Sequence, residues 1–211
     1  MKKKVVMKKS QVYTRRGDQG ETDLYTGQRC KKSDLTFDVL GHIDALNVYI
    51  GAAKSDMGFP LNNIVKYLHN IQQLLISMGS CIGSLEKGKK SKRKVYFDED
   101  AVLRVEHEIN FLSSKLPKLK TFILPEGKIS SKIHVCRVTT RELERKMVAL
   151  SEDRDITHEL KFINRLSDYF FELARYIHEY ESLVEGFRNL TRAGVVLRVW
   201  GAYSLIHPLC C

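Results

Sequence analysis

Residues 62–82 read NNIVKYLHNIQQLLISMGSCI. Within them Ile64, Leu68, Ile71, Leu75, Met78 and Ile82 recur at alternating steps of four and three, the period that lines up apolar side chains along one seam of an α-helix. A helix with one such seam must bury it against neighbours, and four further segments repeat the pattern. They run from about Phe37 to Ala53 (Leu40, Ile43, Asn47, Ile50), from Val102 to Leu116 before Pro117, from Ser130 to Leu150, and from His158 to Glu181. Ser130 or Ser131 reads as the N-cap of the fourth. Short or polar connections between five such helices predict an all-α fold, a five-helix antiparallel bundle.

Around this bundle, taken as residues 37–182, lie two segments of other character. Residues 1–36 are basic and rich in Gly, Asp and Thr, with Gly17-Asp18-Gln19-Gly20 and Thr26-Gly27 breaking any period, which reads as a structured loop. Residues 183–211 carry Gly186, Gly194 and Gly201 among β-branched residues and end in Cys210-Cys211, which reads as an atypical C-terminal tail. The 211 residues, 43% hydrophobic and 28% charged, suit one well-buried domain. The net charge of +10 attracts polyanions without choosing among them, and it gathers in residues 1–16 and in the run from Lys87 to Lys94. Five cysteines without paired spacing suggest a reducing compartment and no metal framework. Nowhere do about 18 uncharged apolar residues stand in a row, so no membrane partner is expected. A nucleic-acid-binding bundle is the reading that the lysines motivate, but no aromatic interleaving or recognition module accompanies them, and no nucleic-acid partner is expected.

Two polar stretches interrupt the helical pattern. On the fourth helix Arg137, Arg141, Glu144 and Arg145 form one stripe, beside an apolar stripe of Ile133, Cys136, Thr140, Leu143 and Met147. Guanidinium groups present planar forks suited to phosphate or carboxylate oxygens. By spacing alone the plainer reading is a solvated face, with Glu144 pairing to Arg141 three residues earlier. On the fifth helix Asn164 and Asp168 sit beside the core positions Ile163, Leu166, Phe170, Leu173, Ala174 and Ile177. Asp44 and Asn47 fall on the inward stripe of the first helix, where a buried carboxylate needs a partner; Arg137, Arg141 and Arg145 are the candidates.

Five ordered motifs resemble the propanediol-utilisation type of ATP:cob(I)alamin adenosyltransferases. They are Thr14-Arg15-Arg16-Gly17-Asp18-Gln19-Gly20, Gly41-His42-Ile43-Asp44-Ala45-Leu46-Asn47, Phe122-Ile123-Leu124-Pro125, the row from Arg137 to Arg145, and Phe162-Ile163-Asn164-Arg165-Leu166-Ser167-Asp168-Tyr169. The resemblance covers about residues 12–181. It implies a bundle that assembles as a homotrimer with sites between neighbouring subunits, transferring the 5′-deoxyadenosyl group of ATP to the cobalt of cob(I)alamin and releasing triphosphate. Co(I) is the nucleophile in that reaction, so the protein's work is orientation and charge neutralisation. By position, Thr14, Arg15, Arg16, Gly17, Thr22, Asp23 and Lys32 would line the nucleotide loop. Arg137, Arg141, Glu144, Arg145 and Asn164 would hold phosphates, ribose and Mg²⁺, with Glu144 as the metal ligand. Asp44 would pair with Arg141 or Arg137 across the interface, and Phe122 would stand beneath the corrin and displace its lower axial ligand.

Several positions depart from the pattern that the resemblance implies. Glu142 stands where a second arginine is usual, Ala45 where a glutamate is, and Gln19 where a lysine is. The connector has one glycine fewer at Glu126-Gly127. A reversed charge beside ATP costs on the order of 1 to 3 kcal/mol where partly desolvated. The alternative reading is therefore a catalytically weakened family member that binds or delivers corrinoid. The stretch Gly127-Lys128-Ile129-Ser130-Ser131 resembles the animal mitochondrial branch and implies a mitochondrial location, with the cytoplasm as alternative.

Overall fold

The computed structural model describes residues 13–85 and 95–192, with side chains to residue 189. Five helices make up most of it: α1 (Leu35–Lys54), α2 (Asn62–Gly83), α3 (Asp100–Ser114), α4 (Lys128–Ser151) and α5 (Thr157–Arg192). Polar pairs between helices give their directions. Asp38 meets Lys146 and Asp56 meets Lys132, so α1 and α4 are antiparallel. Glu106 meets Arg165 while Pro117 meets Arg175, so α3 and α5 run the same way. Successive helices alternate up and down, and α4 packs chiefly on α5 and α1.

The α2 seam is buried along its whole length, and its six predicted residues all lie in the core. The apolar stripe of α4 is as predicted: Ile133, Cys136, Thr140, Leu143 and Met147 are each 0% exposed. On α5 the six predicted core residues are buried, and Phe162 and Tyr169 join them because α3 covers a second side of that helix. Phe162 meets Phe97, and Tyr169 meets Tyr67 of α2, in tilted ring pairs.

The structure departs from the sequence pattern at several places. Residues 11–34, expected to be irregular, contain a hairpin of β1 (Glu21–Asp23) and β2 (Arg29–Lys31), paired Glu21↔Lys31 and Asp23↔Arg29. Three-residue strands are too short to show a period of two. The N-cap of α4 is Gly127 at φ 84, not a serine. Ser130 lies inside the first turn and donates from its hydroxyl to the Ala174 carbonyl (2.8 Å). The free N–H groups of Ile129 and Ser130 are taken by the Glu181 carboxylate at 2.8 and 3.0 Å, which caps the helix from another element. Helix α5 continues past Glu181 to Arg192; Gly186 costs about 1 kcal/mol within it without ending it. The lysine run from Lys87 to Lys94 and the tail beyond residue 192, including Cys210 and Cys211, lie outside the described residues. Cys30, Cys81 and Cys136 are free thiols, and burial pushes Cys136 up to about 12.

Leu143 lies between Arg141, Glu142, Glu144 and Arg145 in sequence and is fully buried. Leu143→Ala should lower stability by about 2–5 kcal/mol, read by urea unfolding; a loss under about 1 kcal/mol would show that this stripe is not the packed face. Hydrogen bonds from Lys128 and Lys132 hold the Asp56 carboxyl below the usual carboxylate range. Its contribution is complete above the unfolded carboxylate range and is lost as pH falls through the lowered value. The acid limb of a stability–pH profile should accordingly be shallower for Asp56→Asn than for the parent chain.

Candidate functional site

Within residues 13–34 the chain folds back on itself around Arg29. Its guanidinium pairs with Glu21 (2.8 Å) and Asp23 (3.2 Å) and donates to the Arg16 carbonyl, while Arg16 reaches the other oxygen of Asp23 at 3.0 Å. Asp23 is thereby a brace between two arginines. Gly20 and Gly27 take positive φ at the two turns, and Arg15 does so as well at φ 63, a backbone state uncommon for a residue with a Cβ and of the kind that collects at binding loops. A Cβ on Gly17 would stand 3.1 Å from the Lys32 ammonium. The fold thus brings Gly17 against Lys32 and Arg16 against Asp23, leaving Thr14, Arg15, Arg16 and Lys32 exposed and Thr22 half-buried.

The second group lies where α4 approaches α5. Asn164 donates to Glu144 at 2.7 Å, and its amide oxygen accepts from Arg165 at 2.6 Å; Arg165 then reaches Glu106 on α3 at 2.7 Å. Glu144 is therefore committed to Asn164 rather than to Arg141, which corrects the salt-bridged face that spacing suggested. Arg141 and Arg145 are exposed and form no ion pair among the described residues. Glu144 and Asn164 line an open depression of about 790 Å³ together with Arg154, Lys161 and Arg165. Arg137 sits further along α4, its guanidinium 5.0 Å above the ring of Phe171. Burial, with Arg137 and His178 beside it, holds His134 below the ordinary imidazole range.

Asp44 is not where the inward stripe put it. It is exposed and lines a groove between α1 and α2 with Asp23, Leu24, Tyr25 and Asn47. It forms no ion pair with Arg137, Arg141 or Arg145 among the described residues. Asn47 finds its partner on α2, exchanging hydrogen bonds with Gln72. Asp44 follows Ile43 directly, and a step of about 100° carries it off the buried face. Asp168 is likewise exposed, and Phe122 stands fully in solvent on the connector to α4.

Some residues of the site had no assigned role in the sequence reading. Arg165 adjoins Asn164 in its motif, but only the packing of α3 beside α5 shows that it orients the amide. Arg154 donates to Thr36, which in turn donates to the N-cap Asp34, and so ties the end of α4 to the residues following Lys32. Arg29 carried no signal at all. Its partners depend on hairpin register, which is not legible in three-residue strands.

The helical bundle thus carries a glycine-bent basic loop ahead of α1 and, on α4, two exposed guanidinium groups without an ion pair among the described residues, groups of a kind that suit an anionic ligand. The chain belongs to the cobalamin adenosyltransferase family, whose family model matches residues 12–177. The corrinoid adenosyltransferase MMAB of Mus musculus is 37% identical over 169 residues, 78% of this chain and 71% of its own length. The corrinoid adenosyltransferase of Bacillus subtilis is 36% identical over 192 residues, covering 89% and 95%. A variant PduO-type ATP:corrinoid adenosyltransferase from Lactobacillus reuteri, solved with cobalamin and ATP, superimposes with a TM-score of 0.76 at 33% identity, covering 81% of this chain and 95% of that one.

The geometry separates side chains engaged with one another from side chains left exposed. Asn164→Ala removes the donor to Glu144 and the acceptor of Arg165 and should cost about 1–2 kcal/mol of stability. Arg141→Ala should change stability by no more than about 0.5 kcal/mol. Thermal or chemical unfolding of both variants is the measurement, and equal losses would contradict the separation.

Proposed function

We propose that the chain transfers the 5′-deoxyadenosyl group of ATP to cob(I)alamin as a homotrimer, each site combining the 1–36 segment of one subunit with α4 and α5 of the next. The observation that carries this reading is the pair of exposed guanidinium groups, Arg141 and Arg145, which form no ion pair among the described residues, next to the Glu144–Asn164 pair. A surface arginine left without a carboxylate beside a half-buried polar network suits a polyphosphate. The family and the cobalamin- and ATP-bound relative support the substrates.

In the reaction the Co(I) electron pair forms a bond to C5′ of ATP, the C5′–O bond breaks, and its electrons leave on the triphosphate, taking cobalt formally to Co(III). Arg141 and Arg145 neutralise the departing charge, which grows as that bond breaks and is where preorganised donors count most. Asn164, oriented by Arg165, holds the sugar–phosphate region in line with the attacking metal. Thr14, Arg15, Arg16, Gly17, Thr22 and Lys32 bind the nucleotide from the loop, with Asp23 holding Arg16 in place. Asp44 pairs with Arg137 or Arg141 of the neighbouring subunit, which its exposure on α1 permits, and Phe122 forms an apolar wall under the corrin.

Magnesium fits this site as a guest of the triphosphate. Among the described residues no cluster of three or more His, Cys, Asp or Glu could hold a metal alone, and Glu144 keeps one oxygen on Asn164. Mg²⁺ is commonly held by one or two carboxylates together with substrate phosphates and water, and Glu144 would be that carboxylate. Bound there, it would supply further positive charge to the polyphosphate.

A second reading, a weakened member that binds or delivers corrinoid, is favoured by Glu142, whose half-buried carboxylate directly follows Arg141. The proposed location is mitochondrial, supported by the resemblance of residues 127–131 to the animal branch, with the cytoplasm as alternative. Among the described residues no helix is long and apolar enough to cross a membrane.

Purified protein with ATP, Mg²⁺ and chemically reduced cobalamin should convert the Co(I) absorbance to that of adenosylcobalamin. Arg141→Ala should lower kcat/KM by about 10- to 100-fold, the effect of losing one charge-assisted phosphate contact. Corrinoid binding without turnover, reversed by Glu142→Arg, would select the second reading instead, and sedimentation as a monomer would remove the shared site.

A further inference from the structure

Between α3 and α4 the chain crosses over α5 as a connector without regular structure, and at its middle Phe122 is 104% exposed. The span from Pro117 to Gly127 could reach roughly 35 Å if extended, so its sequence does not determine where its tip stands. Two α5 side chains hold its ends. At the start, Arg175 donates through Nη2 to the Pro117 carbonyl at 2.5 Å, and through Nη1 to both oxygens of Glu172 at 2.8 and 3.2 Å. The Arg175 and Glu172 side chains are only 10% and 15% exposed, so the ion pair that aims the guanidinium is sheltered from competing water, while its bond to the Pro117 carbonyl lies at the surface. At the far end the Glu181 carboxylate takes the first free N–H groups of α4. A Cβ on Gly127 would fall 2.3 Å from Glu181 Oε2, and φ there is +84. The single glycine that this connector keeps is thus at the position where both backbone and neighbour demand one.

The first clamp also touches the cationic row. Arg175 lies 6.0 Å from the centroid of the Phe171 ring, and Arg137 lies 5.0 Å from the same centroid. The connector, α5 and α4 are therefore registered through a continuous set of contacts.

We propose that Arg175 and Glu181 are positioning residues for the corrin substrate: by clamping both ends of the 117–127 connector to α5 they hold Phe122 as a rigid wall rather than a mobile side chain. The inference rests on the adenosyltransferase reading above, in which Phe122 displaces the lower axial ligand. A wall that yields cannot compete with that ligand, so the clamp acts on formation of the ligand-free cobalt state and not on ATP. Arg175→Lys keeps the charge but loses the fork that serves Glu172 and Pro117 together.

The experiment compares the parent chain, Arg175→Lys, Glu181→Gln, Phe122→Ala and the Arg175→Lys/Phe122→Ala double variant. With cob(II)alamin and ATP, electron paramagnetic resonance reads the fraction lacking the lower ligand. Arg175→Lys should reduce it about fivefold or more while leaving KM for ATP within about twofold. With preformed cob(I)alamin, which has already lost that ligand, the rate should fall by no more than about threefold. The double variant should be no worse than Phe122→Ala alone, since both act through one element. An unchanged resonance signal, or equal loss in every assay together with a lowered unfolding midpoint, would overturn the proposal and leave Arg175 a purely structural residue. If the parent chain gives neither transfer nor a ligand-free signal, the adenosyltransferase reading fails separately. Hydrogen exchange then decides the clamp: faster exchange at residues 118–126 in Arg175→Lys supports it, and unchanged exchange overturns it.

Discussion

The packing of α4 against α5 is the constraint on which the rest depends. The stripe from Ile133 to Met147 is fully buried, and burying it sets the rotation of α4 about its own axis. Once that rotation is set, residues about 100° away have no choice of direction. Arg141 and Arg145 must face out, and Glu144 must face the α5 residue opposite it, which is Asn164. The apolar seam therefore aims the polar groups, and the hydrophobic effect supplies the free energy that holds in register two guanidinium groups that pair with no carboxylate among the described residues.

The same packing explains why a site of this kind is inexpensive to keep. Buried unpaired charge costs several kcal/mol, but Arg141 and Arg145 remain hydrated until a ligand arrives. Polar groups further in are engaged instead, Ser130 with the Ala174 carbonyl and half-buried Arg175 with Glu172 and Pro117, while Arg154 Nε is buried without a hydrogen-bond partner among the described residues. Half-buried Asn164 uses both ends of its amide, on Glu144 and on Arg165. Rigidity lies in the supporting network and openness in the exposed guanidinium groups, which is the division expected of a preorganised site.

Residues 13–34 and the 117–127 connector are segments whose shape is not set by helical packing, and each is tied down by charge. Arg29 gathers Glu21, Asp23 and the Arg16 carbonyl, and Arg154 links the end of α4 to Thr36 at the start of α1. Arg175 and Glu181 do the corresponding work for the 117–127 span. In the proposed trimer these ties make each subunit a bearer of two half-sites, a loop for one neighbour and a helix face for the other.

The five helices, the core faces of α2 and α4, and the side-by-side placement of Arg137, Arg141, Glu144 and Arg145 followed from the sequence alone, because a period of 3.6 residues is a local property that twenty residues suffice to display; on α1 the buried face is turned to Val39, Leu46 and Ala53, leaving Leu40 and Asn47 half-buried. Partnership did not follow. The association of Glu144 with Asn164 rather than Arg141, the exposure of Asp44, the capping of α4 by Glu181 from 51 residues away, and the bracing of the leader by Arg29 each depend on which elements lie side by side. Periodicity tells a residue which way to face on its own helix; only the tertiary structure decides what stands opposite, since that is settled by the packing of surfaces contributed by distant parts of the chain.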